Sequence, residues 1–325
     1  MDGQFLQFLL NFDNRLGKGP HKAVLKTAKM EFGTVSGLGL ETLFNRLVAK
    51  KQFAEDLGEA SLRQSESERL ARMKTRVEVE IEALVSTIVS VYARFSREAE
   101  DVLRTPAVNT SHHIPLVTRL TRLDTVLSFN YDTIIDSCIK ALKPDLIAKG
   151  QFPYGASHQD QVWIPRVQGW RPGGFRLLKA HGSVNFRVHK NKKFKNTIEV
   201  LPPSMENIRP LIVAPAFEKN VFQNALGRIW RRAALQLDVA KAVVVLGYSC
   251  PPADYRAAAL LGTSLGAKVE PLSLVVVVNP SEADRSRIIG LIGRRINADT
   301  KVFELESFEK FENFLLEDER GYRLD

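Results

Sequence analysis

The strongest pattern in the chain is a stripe of apolar residues between positions 61 and 104. Leu70, Met73, Val77, Ile81, Leu84, Ile88, Val91 and Phe95 recur at steps of three and four, which keeps them on one face of a long helix. Arg72, Lys74, Arg76, Glu78, Glu80 and Glu82 occupy much of the remaining circumference. Such a stripe packs against neighbouring helices or receives a partner protein, and Leu40, Leu43, Phe44 and Leu47 just upstream mark one neighbour. The helix gives way to "TPAVNTSHHIP", a loop by composition. Adjacent His112 and His113 would point in different directions there and read as loop surface, not as metal ligands.

From about residue 119 the pattern shortens. "DTVLSF" (124–129), "FRLLKA" (175–180), "AVVVLG" (242–247), "LSLVVVVN" (272–279) and "TKVFEL" (300–305) are apolar runs with little alternation. Continuous runs of this kind are strands covered on both faces, as in a parallel sheet flanked by helices. Helices are expected at 132–142, 222–240, 253–265 and 281–294, and again after residue 305. The alternation predicts a doubly wound α/β fold. We expect a single domain over 1–325, with a helical insertion or subdomain at 40–104 and the α/β core at 119–305.

Composition narrows the class without choosing a function. No apolar run is long enough to span a membrane, and the start "MDGQFLQFLLNF" has neither a basic leader nor a small-residue cleavage site. Cys138 and Cys250 are the only cysteines, which excludes a disulfide framework or a cysteine-built zinc site and suits a reducing cytoplasm. The net charge of +9 fits a polyanionic partner or an anionic dinucleotide equally well. Its densest stretch, "FRVHKNKKFKN" (186–196), lies between alternating apolar residues and reads as the tip of a β-hairpin. A solvated turn explains it; nucleic-acid binding is the alternative, without the aromatic series that would stack bases.

Chemistry gathers where the strands end, the place at which open α/β sheets bind ligands. Asn130, Tyr131 and Asp132 follow the first run, and His181, Gly182 and Ser183 follow the second. Gly247, Tyr248 and Ser249 come after "VVVL", and Asn279, Pro280 and Ser281 after "VVVV". Asp132, Ser249 and Ser281 could each simply cap the next helix. His181 is neither a preferred cap nor a preferred turn former, which makes it the most informative of the set. Brought to one rim, these groups would form a polar crevice suited to a sugar and phosphates.

In this order, "LSFNYD", "LKAHGSVNF", "LIVAPAFEK", "VVVLGYSCPPADY" and "VVVVNPS" resemble the sirtuin-like NAD-consuming proteins, most closely their bacterial members, over about residues 119 to 300. The resemblance implies a Rossmann-like sheet and cleavage of the nicotinamide–ribose bond of NAD+ as substrate, in defence against phage. Residues 182 to 249 hold no cysteine, so the zinc module of the sirtuin deacylases is not expected, nor is any other metal. By resemblance His181 would act on the ribose hydroxyls or water, and Asn130 would position water or the nicotinamide ribose. Asp132 would help hold the nicotinamide end, and Gly247, Ser249 and Asn279 would line the adenosine side. The family opens with a strand and a glycine-rich phosphate loop. "VSGLGLETLF" (35–44) lacks a preceding strand and reads as a loop entering a helix. The chain's own start resembles the helix that follows the family's loop, which would place Met1 just past that first element. A homo-oligomer is expected, with the helical region as the surface for a protein partner or trigger. A sirtuin-like module that binds a nucleotide or protein without catalysis is the alternative.

Overall fold

The computed structural model describes residues 21–34, 40–58, 63–104, 113–146, 154, 162–163, 175–188, 198–200, 210–213, 226–251, 254–263 and 270–318. The chain's opening segment, residues 35–39 of the glycine-containing stretch, His112 and the hairpin tip lie outside them.

The first part is helical: α1 (His21–Phe32), α2 (Leu40–Gly58) and α3 (Gln64–Arg104). At 41 residues, α3 runs for about 60 Å. Its periodic stripe meets the neighbours that the spacing predicts: Val77, Leu84, Ile88 and Val91 bury against Leu43, Phe44 and Leu47 of α2 and Val24 and Ala28 of α1. Helix α1 is an addition to the sequence-based reading. Ion pairs such as Lys74–Glu55 at 2.9 Å lace the outer faces and, being exposed, contribute little.

The second part is mixed. A short helix α4 (His113–Arg119) leads into β1 (Thr125–Ser128) and α5 (Ile134–Leu142), so His113 opens a helix instead of closing a loop. Strands β2 (Val162–Trp163), β3 (Arg176–Lys179), β4 (Phe186–Val188) and β5 (Ile198–Val200) follow. The rest alternates: α6 (Gly227–Val239), β6 (Ala242–Leu246), α7 (Tyr255–Thr263), β7 (Leu274–Val278), α8 (Glu282–Ile292), β8 (Lys301–Leu305) and α9 (Phe308–Asp318).

The strands form two small parallel sheets, β1–β3 and β6–β7–β8, and one antiparallel sheet, β2–β5–β4. Parallel neighbours need a crossover, and α7 and α8 supply it on either side of β7. Strand β7 is buried along its whole length because both faces are covered. Val275 and Val277 meet Ile288 and Ile292 of α8 on one face, and Leu274, Val276 and Val278 meet Phe311 and Leu315 of α9 on the other. In the antiparallel sheet Phe186 pairs with Val200 and Val188 with Ile198, which is the expected hairpin.

Helix α6 joins the two parallel sheets from one side, since Leu237 packs against the apolar clusters of both. Buried Arg295 reinforces the end of α6, donating to Leu237 O at 2.6 Å, which also accepts from Ala240 N–H, and to Ala240 O at 2.5 Å. At the opposite end, Phe129 beyond β1 stacks on Tyr248 beyond β6 with ring centroids 4.5 Å apart. The carboxyl ends of both parallel sheets therefore share one rim. Among the described residues the outer edges of β1 and β6 have no pairing strand.

Candidate functional site

Register decides which residues meet at that rim. Strand β1 pairs with β3 so that Ser128 lies opposite Lys179. Asn130 and His181 each come two residues later and emerge at the same end of the sheet. Asn130 is exposed, its backbone N–H held by Ser128 Oγ at 3.2 Å.

The chain can turn at His181 only because glycine follows it. Gly182 has φ +81°, and a Cβ there would sit 2.0 Å from Leu211 O. That close approach lets residues 211–213 pair across the loop: Ser183 N–H donates to Leu211 O at 3.2 Å and Val213 N–H to His181 O at 2.8 Å. Ser183 Oγ is buried and donates to Tyr131 O at 3.2 Å, and Val184 N–H donates to the same carbonyl at 2.9 Å. Tyr131 and Val184 also belong to the helical core, so the two loops close against α1–α3. Glycine serves the turn and serine ties the loops together. The imidazole is left over for other work.

That ring sits among aromatics and is 16% exposed. Phe129 meets it edge-on at 5.0 Å between centroids, and Trp230 of α6 lies at 5.9 Å. Trp230 is fixed by its indole N–H, which donates to Ala180 O at 2.8 Å. His181 Nε2 lies 3.4 Å from Asp254 Oδ1, and the Tyr248 hydroxyl donates to Asp254 Oδ2 at 2.6 Å. Burial pushes the Asp254 carboxyl up, but His181 and the Tyr248 phenol together hold it below its ordinary value. Burial, then the neighbouring Asp254 charge, push Tyr248 well above its own, so the phenol remains a donor.

Directly beneath the rim, Lys179 is fully buried. Its ammonium donates to Asp132 O and lies 3.4 Å from Asp136 Oδ2. Burial raises Asp136 to about 6, against the opposing pull of Lys179 and with the help of the Asp132 charge. Ser96 of α3 reaches into the same region and accepts from Thr133 N–H at 2.9 Å. The Asn130–Asp132 loop is thus held from below by a lysine and from the side by the helical part.

The other expected ligand residues are engaged differently. Asp132 Oδ1 accepts from Ile134 N–H at 3.0 Å, a local turn bond that leads into α5 one residue before its cap position, Thr133. Asn279 is buried and committed at both ends of its amide: Nδ2 donates to Tyr248 O at 3.3 Å and Oδ1 accepts from Ser281 N–H at 2.9 Å. Ser281 caps α8, accepting from Asp284 N–H at 3.3 Å. Gly247 is exposed with φ +62°, and Ser249 is half-buried, its carbonyl accepting from Arg287 at 2.7 Å. Cys250 also takes a positive φ of 45°, so residues 247–250 bend sharply and carry Tyr248 over Phe129.

Asp254 and Lys179 escape a sequence-based reading. In "PPADY" the aspartate precedes a helix and reads as a cap, and a lysine at a strand end reads as solvated. The tyrosine six residues before Asp254 is the only hint of a second task. A hollow of about 540 Å³ on α3, lined by Ala71, Arg72, Thr75, Arg76, Val79 and Glu80, lies away from this rim. No family model and no curated protein matches the chain.

Proposed function

We propose that the chain is a sirtuin-like NAD+ glycohydrolase that cleaves the nicotinamide–ribose bond, acting in bacterial defence against phage. The observation that carries this reading is the shared rim of Asn130 and His181, fixed by the β1–β3 register. A doubly wound, Rossmann-like sheet is part of the same proposal. It is supported by the parallel pairings, the helices on both faces of β7 and the Phe129–Tyr248 stack that brings the strand ends together.

The nicotinamide of NAD+ leaves as a neutral molecule from a cationic pyridinium and needs no general acid. The protein has to bind the dinucleotide, shelter an oxocarbenium-like transition state and activate water. An imidazole at the rim suits the last task, and base assistance is worth roughly a hundred- to ten-thousandfold. The exposed carboxamide of Asn130 orients the water or the nicotinamide ribose. Gly247 and Ser249 flank Tyr248 in the chain and would line the adenosine half. Asp132 and Asn279 act through the loops they brace. NAD+ is the substrate and no zinc is required; the protein works in the cytoplasm as a homo-oligomer, with the helical region at 40–104 as the surface for a protein partner or trigger. Among the described residues no helix is long and apolar enough to cross a membrane.

A second reading, a sirtuin-like module that binds nucleotide without turnover, draws on the engagement of Asp132 and Asn279 in the fold. Nicotinamide release from NAD+, followed chromatographically, separates the two. The glycohydrolase releases it, and His181→Ala and Asn130→Ala abolish release while the protein stays folded. Binding of NAD+ without release selects the second reading.

A further inference from the structure

The carboxylate of Asp254 does more than a helix cap requires. Standing just before α7, it accepts from the backbone N–H of Ala257, the bond a cap makes. It also takes the Tyr248 hydroxyl at 2.6 Å on Oδ2 and faces His181 Nε2 at 3.4 Å with Oδ1. A cap needs neither of these partners. A carboxylate that is half-buried, kept ionised and turned towards one nitrogen of an imidazole fixes which nitrogen carries the proton. The aromatic neighbours Phe129 and Trp230 restrict the ring's rotation, so it has few alternative poses.

We propose that Asp254 is a positioning residue for His181: it holds the Nε2–H of the ring, leaving the lone pair on Nδ1, while Tyr248 anchors the carboxylate. The proposal rests on the glycohydrolase reading for its consequence. As water attacks the anomeric carbon, the C–O bond forms and the C–N bond to nicotinamide breaks with its electron pair going to the ring nitrogen. The water proton passes to Nδ1. The resulting imidazolium is then stabilised by the Asp254 charge on its other side.

The test uses the full chain with 15N-labelled histidine. His181 is identified among the six histidines by the signal missing from His181→Gln. Long-range proton–nitrogen spectra are expected to show the Nε2–H tautomer in the wild type and to lose that preference in Asp254→Asn. Asparagine caps a helix about as well as aspartate, so α7 stays in place in this variant. The same variant is expected to lower kcat for nicotinamide release about a hundredfold or more with KM changed less than about threefold. Tyr248→Phe, which keeps the ring stack, is expected to lower it about tenfold. A purely structural role would leave the tautomer unchanged in Asp254→Asn, and that result overturns the proposal. If the wild type releases no nicotinamide yet the tautomer still depends on Asp254, the positioning stands and the glycohydrolase reading falls.

Discussion

The carboxyl ends of the two parallel sheets present similar residues and use them in opposite ways. Beyond β6 and β7, Asn279, Ser281 and the Tyr248 carbonyl bond to one another. Beyond β1 and β3, the bonding lies underneath: Lys179, Asp136, Ser183 and Ser96 brace the loops from within. Asn130 and His181 stay at the surface of that frame with functional groups to offer. A strand end becomes a site when buried neighbours satisfy the backbone for it, so that its own side chains need not.

The largest effect that tests this contrast is on stability at the two turn glycines. Gly182→Ala drives a Cβ into Leu211 O, and we expect a loss of at least about 3 kcal/mol in urea denaturation. At Gly247 the nearest atom to such a Cβ is 3.9 Å away, so only the positive φ is penalised, by about 1–2 kcal/mol. Equal losses would mean that the 211–213 segment does not clamp the His181 turn. Lys179→Met is expected next, at about 3 kcal/mol, because it leaves Asp136 without its buried partner. A smaller loss than that of an exposed lysine variant would show the pair to be incidental.

Asparagine gives the sharpest contrast between the two sheet ends. Asn279→Ala removes two buried hydrogen bonds and should destabilise by about 1–3 kcal/mol. Asn130→Ala, at an exposed position, should change stability by less than about 0.5 kcal/mol. Reversed magnitudes, read from the same denaturation curves, would exchange the roles given to the two sheet ends.

The smallest expected effect is on pH dependence. Asp136 titrates at about 6 in the folded chain against an ordinary 3.8, so the folded state holds a proton that the unfolded state has released. Stability from this group falls as pH rises from about 4 to about 6 and is level above that. Asp136→Asn should remove that slope from the difference between variant and wild-type denaturation curves. An unchanged slope would place the titration elsewhere.

Much of this architecture was legible in the amino-acid pattern. The α3 stripe, the buried β3 and β7 runs and the hairpin around the basic stretch appear where periodicity put them, because apolar spacing records burial directly. The polar residues at strand ends were legible as a group, but their separate tasks were not. Asp132 and Asn279 are chemically able both to brace a turn and to bind, and only the positions of Ile134 N–H, Tyr248 O and Ser281 N–H decide between the two. Lys179 looked solvated because its partner Asp136 lies 43 residues away in the chain. Asp254 hid behind a local role that it also performs, and its contact with His181 spans 73 positions, a separation no short motif encodes.

The most direct test of the central claim is nicotinamide release from NAD+ by the protein expressed from its own locus, with any coding sequence before Met1 retained. Release that falls at least about a hundredfold in both His181→Ala and Asn130→Ala, with unchanged thermal unfolding, is the predicted result. Undiminished release in either folded variant would contradict it.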